Sequence, residues 1–313
     1  MPRRTPPLFV LACLPAILLS HDASAQSGNG VALGPLTLTA YVQIDAQFGL
    51  TGESFAENDT FRFRRARFAL SGDLTDRIGW YASVEATAPS VPLRDVYVSF
   101  RMAPWMTARA GQFVTHFSLE RQISTSRLEA IDRALQPLTP GRDVGVMLLS
   151  DRPLGGWFGY SAAVINGAGQ NQVDDNDAKD VVGRVTMSPP ASHNVRVGVN
   201  AATGAQPSGK RHRYGADVEI QAGGLRAMAE VIRQEHNGAD ALGLLLFAAH
   251  RTGPWELVGR ASRLELDAAA RWRLDAGGSY YFIGRTRLMM NVVYFPGTAE
   301  RRLGVITRLQ LAL

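Results

Sequence analysis

Cysteine is nearly missing from this 313-residue chain: the single one, Cys13, lies close to the N-terminus, so residues 26–313 carry no thiol. That excludes a disulfide framework and a thiolate metal site from almost the whole chain. Lysine is as scarce, with only Lys179 and Lys210 among 33 basic residues; every other base is arginine. Long apolar runs are lacking too. Beyond residues 8–19 the longest is 241–249, which is strand length, whereas a membrane-crossing helix needs about 20 residues. No Gly-x-Ser-x-Gly elbow and no phosphate-cradling glycine loop are present, and His193, His212, His236 and His250 show no metal-ligand spacing. Asp174-Asp175-Asn176-Asp177 lacks the glycine and distal glutamate of a calcium loop. No metal, cofactor or catalytic group is therefore assigned.

What is present is alternation. Along residues 36–48, Leu36, Leu38, Ala40, Val42, Ile44, Ala46 and Phe48 occupy every second place, with Thr37, Thr39, Tyr41, Gln43, Asp45 and Gln47 between them. A β-strand sends successive side chains to opposite faces, so one face is apolar and the other polar. The pattern returns after nearly every turn up to Leu313, and the polar face keeps carrying charge. It predicts an all-β fold, a transmembrane antiparallel β-barrel with lipid outside and water inside. Val42 and Ile44 are expected to face lipid, and Gln43 and Asp45 the lumen.

The N-terminus predicts export. Arg3 and Arg4 precede the apolar stretch 8–19, and Ala23-Ser24-Ala25 is a small-x-small cleavage site. Residues 1–25 thus read as a secretory signal peptide and 26–313 as one barrel domain. The formal net charge is +5. Losing Arg3, Arg4 and Asp22 with the leader removes two bases and one acid, leaving +4. In a secreted chain of alternating strands, this basic balance points to anionic solutes or lipopolysaccharide rather than to nucleic acid.

About 16 candidate strands follow, near residues 36–49, 61–72, 79–88, 93–103, 105–114, 142–150, 157–166, 180–188, 194–203, 212–222, 224–235, 241–250, 254–264, 269–283, 285–295 and 301–313. Connections after even strands are mostly tight, and those after odd strands mostly longer and polar, which matches short periplasmic turns and longer outer loops. Trp80, Trp105, Trp157, Trp255 and Trp272 sit near strand ends, as interface girdles require. Residues 115–141, the third outer loop, are too long for a passive connection. Leu128, Ile131 and Leu135 recur there at helical steps.

Parity places Arg65, Arg67, Asp95, Arg101 and Arg109 on the lumenal face, with many further arginines and carboxylates on later strands. A lipid-facing arginine at the bilayer midplane costs about 2–4 kcal/mol, so these charges should point inward. Pairing with carboxylates is the expected fate of most of them. In Phe61-Arg62-Phe63-Arg64-Arg65-Ala66-Arg67 the alternation slips between Phe63 and Ala66, which predicts a bulge.

That segment with Leu70-Ser71-Gly72 resembles the start of the phosphate-selective porin O and P family. So do Leu93-Arg94-Asp95-Val96-Tyr97-Val98, the stretch from Gly111-Gln112-Phe113 to Glu120, Asp132-Arg133, Gly141-Arg142-Asp143-Val144-Gly145-Val146, Asn166-Gly167 and Lys179-Asp180. The resemblance covers roughly residues 36–190. It implies an outer-membrane homotrimer of sixteen-stranded barrels whose third loop folds into the pore. The chain departs from the family in its lack of lysine, in His116 where the loop motif usually has proline, and in ending on Leu313.

The expected function is passive diffusion of small anionic or neutral solutes across a bacterial outer membrane, with a mild preference for anions, phosphate among the candidates. Arg65, Arg67, Arg109, Arg121, Arg127, Arg133 and Arg142 are the candidates for the cationic side of the constriction. Glu120, Glu129, Asp132 and Asp143 are the facing or pairing acids, and Asp95 and Arg101 line the pore. The alternatives are an outer-membrane barrel enzyme, or a closed structural barrel that passes no current. The leader generates the first prediction. The mature chain should start at Gln26 and fractionate with the outer membrane until detergent is added. N-terminal sequencing that finds Met1 retained, or recovery in soluble cytosol, contradicts it.

Overall fold

A computed structural model describes residues 31–33, 35–49, 58–87, 91–150, 155, 157–189, 194–206, 209–266, 269–297 and 303–313. The leader expected at 1–25 lies outside the described residues. The strands are β1 (Val31–Leu33), β2 (Leu36–Phe48), β3 (Thr60–Thr75), β4 (Ile78–Glu85), β5 (Leu93–Ala103), β6 (Met106–Val114), β7 (Arg142–Leu149), β8 (Phe158–Ile165) and β9 (Asp180–Met187). They continue as β10 (Val195–Gln206), β11 (Gly209–Ala222), β12 (Leu225–His236), β13 (Ala239–Thr252), β14 (Trp255–Leu266), β15 (Ala269–Ile283), β16 (Thr286–Tyr294) and β17 (Leu303–Ala312). Three-residue β1 pairs antiparallel with β2. From β2 onward each strand pairs antiparallel with the next, and β17 pairs back onto β2, which closes a sixteen-strand barrel.

The burial pattern is inside out. Gln43, Asp45 and Gln47 are 0–1% exposed, while Phe61, Leu257 and Leu246 are 76, 69 and 63% exposed. The same inversion runs round the barrel, with Arg287 and Arg308 among the most buried side chains and Trp255 among the exposed ones. An uninterrupted apolar outer surface of this extent has no place in water and suits lipid. Aromatics mark the tight-turn ends. Trp105, Trp157 and Trp255 are exposed there, and Trp255 packs edge-on against Tyr280 at 4.7 Å.

Turn chemistry follows the expected order at that end. Gly223 and Gly224 join β11 to β12 with φ of 54° and 83°, the left-handed pair a two-residue hairpin turn requires. The opposite end differs from the expected long outer loops in the second half of the barrel, where Gln206 pairs with Gly209, His236 with Ala239 and Leu266 with Ala269. β12 and β13 are joined by Asn237-Gly238, φ 49° and 84°, so this outer connection is as tight as a periplasmic one.

Two of the register shifts in the sheet, one in β3 and one in β5, bring an extra arginine to the wall. In β3, Gln43 faces Arg65 and Ile44 faces Phe63, so Arg64 is the extra residue, where the broken alternation predicts it. In β5, Val84 faces Leu93 and Ala82 faces Val96, which leaves Arg94 and Asp95 both opposite Ser83. The backbone groups so displaced are satisfied locally. Ser83 Oγ receives the Asp95 N–H at 3.0 Å, and Gln112 Nε2 donates to the Arg94 carbonyl at 2.5 Å.

Residues 115–141 are bound to the inner faces of β12 to β17. Phe117, Leu119, Leu135 and Leu138 cluster with inward-facing Ile232, Leu245, Phe247 and Val258. Ile131 packs with Met289, Val293, Phe295 and Ile306. Gly243 makes room for the segment, since a Cβ there would meet Leu138 Cδ1 at 2.7 Å and Leu135 Cδ2 at 2.9 Å. The helical reading of Leu128, Ile131 and Leu135 is corrected. The segment holds only helix α1 (Leu119–Gln122) and a 3-10 turn, Gln136–Leu138, and Asp132 sits at φ 65°, which an α-helix does not admit. Those apolar residues recur because they fasten the segment to the wall.

Gln43 and Asp45 point inward, as parity requires, but this segment covers them: Gln43 Nε2 donates to the Thr125 carbonyl at 3.2 Å. The faces generate the second prediction. Cysteines placed at 71 and 99 should react with a small charged thiol reagent, those at 70 and 98 should not, and those at 43 and 45 should stay protected. Equal labelling at all six positions rejects the register.

Candidate functional site

Opposite the wall that holds residues 115–141, β3 to β6 border an open volume. A cavity of about 820 Å³ is lined there by Arg64, Arg65, Arg67, Arg94, Arg109, Arg121, Arg133 and Arg142, with Glu85 and Asp95 as its carboxylates. A second cavity of about 950 Å³ continues it toward the tight turns and shares Tyr81, Tyr97 and Arg109 with it. A third, of about 310 Å³, shares Arg64, Arg65, Arg133 and Gln136 on the other side and adds Arg271 and Arg273. The three adjoin through these shared residues, two on the β3–β6 side and the third reaching across to β14 and β15.

Seven of the candidate residues converge on the central cavity: Arg65, Arg67, Asp95, Arg109, Arg121, Arg133 and Arg142. Four of its arginines meet a carboxylate, Arg64 and Arg65 at Asp132 outside the cavity and two more within it. Arg67 Nη2 lies 2.5 Å from Glu85 Oε2, and Arg142 Nη2 lies 2.9 Å from Asp95 Oδ2. Arg133 donates to the carbonyls of Glu120, at 3.1 Å, and Ile123, so it clamps the segment as well as lining the cavity. Among the described residues, Arg94, Arg109 and Arg121 have no carboxylate within ion-pair distance, and their buried Nε atoms lack a hydrogen-bond acceptor. The Arg109 guanidinium instead lies over the Tyr97 ring, 4.1 Å from its centre.

The electrostatics of the segment reflect this crowding. Burial, reinforced by the charges of Arg133, Arg142 and Arg94, pushes the Arg121 guanidinium down to about 9. Arginine does not lose its proton in a protein, so the depression registers first the burial of this cation and second the positive charges beside it, and an arriving anion relieves both.

The remaining candidates lie apart. Glu120 is buried and accepts the N–H groups of Ala134 and Leu135, with Arg260 at 3.5 Å. Glu129 pairs with Arg226 at 2.8 Å. Asp143 accepts the N–H groups of Gly167 and Gly169, each at 3.0 Å, and holds the β8–β9 connection. Arg101 donates to the Asp76 carbonyl at 2.7 Å and belongs to the turn-side cavity. Arg127 is exposed at the turn of the segment. Asp132 is the hub of the fastening. It lies 3.3 Å from Arg64, 3.6 Å from Arg65 and 3.4 Å from Arg308, which also grips Asp45 at 2.7 Å.

Sequence parity passes over Arg64 and Arg94, because each sits in a bulge that turns an extra side chain inward. The signal for both is a slip in the alternation: Phe63 to Ala66, and Leu93 to Val96, are three apart instead of two.

Comparison with known proteins agrees with this architecture. The family model described as phosphate-selective porin O and P matches residues 36–220, more than half of the chain. No curated protein sequence is recognisably similar. Among solved structures, the anion-selective porin from Comamonas acidovorans superposes with a TM-score of 0.68 at 13% identity, covering 89% of this chain and 99% of that one. OmpF of Salmonella typhi, in complex with daunomycin, gives 0.67 at 9% identity over 89% and 97%. The outer membrane channel DcaP of Acinetobacter baumannii gives 0.65 at 10% over 89% and 97%. At these identities the likeness is one of fold.

The Asp132 hub generates the third prediction. Burial alone would raise this carboxyl, but Arg308, Arg64, Arg65 and Arg273 hold it well below the usual carboxylate range. Its folded-state pKa is therefore depressed, so its contribution is complete above about pH 4 and is lost only as the pH falls further. Acidification from about pH 7 to about pH 5 should leave the segment in place. Asp132→Asn, which strands buried arginines, should cost about 3–5 kcal/mol. It should raise open-channel noise and lower the melting temperature in detergent. An unchanged melting temperature and noise would show that the apolar contacts alone hold the segment.

Proposed function

This chain belongs to the phosphate-selective porin O and P family, and on that premise we propose that its path passes small hydrophilic solutes with a mild preference for anions. It is an outer-membrane porin, a channel without covalent chemistry. The observation that carries the anion preference is the imbalance along the path, where eight arginines face two carboxylates in the central cavity. Residues 115–141 narrow the lumen to the β3–β6 side and bring Arg121 and Arg133 to the wall arginines. At ordinary salt, screening confines their attraction to about 8–10 Å, so selectivity arises where the passage is narrow.

Phosphate is one anion such a path takes. The central cavity is ligand-sized, within the roughly 300–1,000 Å³ of binding pockets, and Arg67 and Arg142 in its wall are already paired with carboxylates. That favours a general anion bias over a tight phosphate cradle. The resemblance also supports a homotrimer embedded in outer-membrane lipid and lipopolysaccharide, reached through cleavage of residues 1–25.

The test is the reversal potential of the purified porin in a planar bilayer under a potassium chloride gradient. The wild type should favour chloride. Replacing Arg94, Arg109 and Arg121 together by glutamine should move the reversal potential toward cation preference, most clearly at low salt, because these three have no carboxylate to neutralise them. If the variant conducts with unchanged selectivity, the cationic section lies elsewhere. If the wild type passes no current, the barrel is closed and the channel reading is wrong.

A further inference from the structure

Below the central cavity the path changes character. Tyr81 and Tyr97 face the lumen from neighbouring strands with their rings stacked, 5.4 Å apart and 16° from parallel. Arg109, on β6 beyond Tyr97 in the strand order, lies over the Tyr97 ring at 4.1 Å. The stack is thus guanidinium, ring, ring, and its open end is Tyr81. The next positions in the same cross-strand row are Ser71, opposite Tyr81, and Thr37, opposite Ser71. Both side chains are short, and Thr37, Ser71, Tyr81 and Tyr97 all line the 950 Å³ cavity. The row therefore leaves space beside Tyr81 where a further planar ring continues the stack. Arg101, whose guanidinium donates to the Asp76 carbonyl, lines the same cavity.

Paired lumenal tyrosines are not needed to wet a channel. Hydroxyl and charged side chains do that, and an aromatic face exposed to water invites a partner with a face of its own. We infer that Tyr81 is a stacking subsite for planar aromatic anions, with the aromatic ring resting on Tyr81 and the carboxylate directed to Arg101. This inference deepens the anion-channel reading and rests on it. It assigns to the path a class of organic solute, aromatic carboxylates, for which the turn-side cavity is a station after the arginine section. A saturated ring of the same size and charge passes the arginines equally well but lacks the face to stack.

The experiment compares benzoate with cyclohexanecarboxylate as blockers of chloride current through single channels of the full-length porin. Benzoate should block at lower concentration. Tyr81→Leu should weaken the benzoate block by about fivefold, the scale of one aromatic contact, and narrow its margin over cyclohexanecarboxylate within the same variant. Tyr81→Phe should retain the margin, which separates stacking from any role of the hydroxyl. Equal block by the two acids in the wild type, or a Tyr81→Leu channel that keeps its benzoate margin, overturns the subsite while leaving anion preference by reversal potential intact. Absence of chloride preference in the wild type overturns the anion-preference reading first, and this inference with it.

Discussion

Hydrocarbon cannot hydrogen-bond a peptide backbone, and that constraint decides the shape of this protein. Every strand in lipid needs a partner on both edges, so the ladder has to return to its beginning. Here it does so where β17 meets β2, with Arg308 directly opposite Asp45 across the seam. Closure then sorts the side chains. The outward row must be apolar and the inward row has to hold whatever is charged, which is why Phe61 is exposed and Arg308 is not.

The lumen so created is not used evenly. Along β9 to β17 the inward charges meet each other or the 115–141 segment: Arg184 with Asp217, Arg260 with Asp275, Arg226 with Glu129 and Arg308 with Asp132. Apolar inward positions such as Ile232 and Leu245 complete that docking. Buried pairs of this kind hold position more than they add stability, because desolvation offsets much of their attraction. What remains lies along β3 to β6, where arginines outnumber acids and the two bulges add Arg64 and Arg94 to the surplus. The electrostatic work of the channel is thus concentrated by the same loop that fills the other half of the lumen.

The tyrosine pair belongs to that open side. It marks where the path passes from a section that handles charge to one that offers an aromatic face. The two sections share Arg109, which serves the first by its charge and the second by lying on Tyr97. In a conducting channel such hand-over matters more than tight binding, since each station must release what it receives.

The sequence by itself determined the class of fold, the inward and outward rows and the bulge at Arg64, because alternation with a period of two is a local property of the chain. It also named seven of the nine residues just assigned to the central cavity as arginine wall or its Asp95 partner, since parity and loop membership are both readable one residue at a time. Only the tertiary structure decided which arginines stay unpaired. Arg142 meets Asp95 across 47 positions and Arg308 meets Asp45 across 263, and no local pattern carries partnerships of that range. Between the facing and pairing roles open to Glu120, Glu129 and Asp132, the tertiary structure supplies the pairing partners, which become neighbours only when the barrel closes around the loop. Charge content is written along the chain, whereas the balance of charge at one point in space depends on the fold that brings distant strands together.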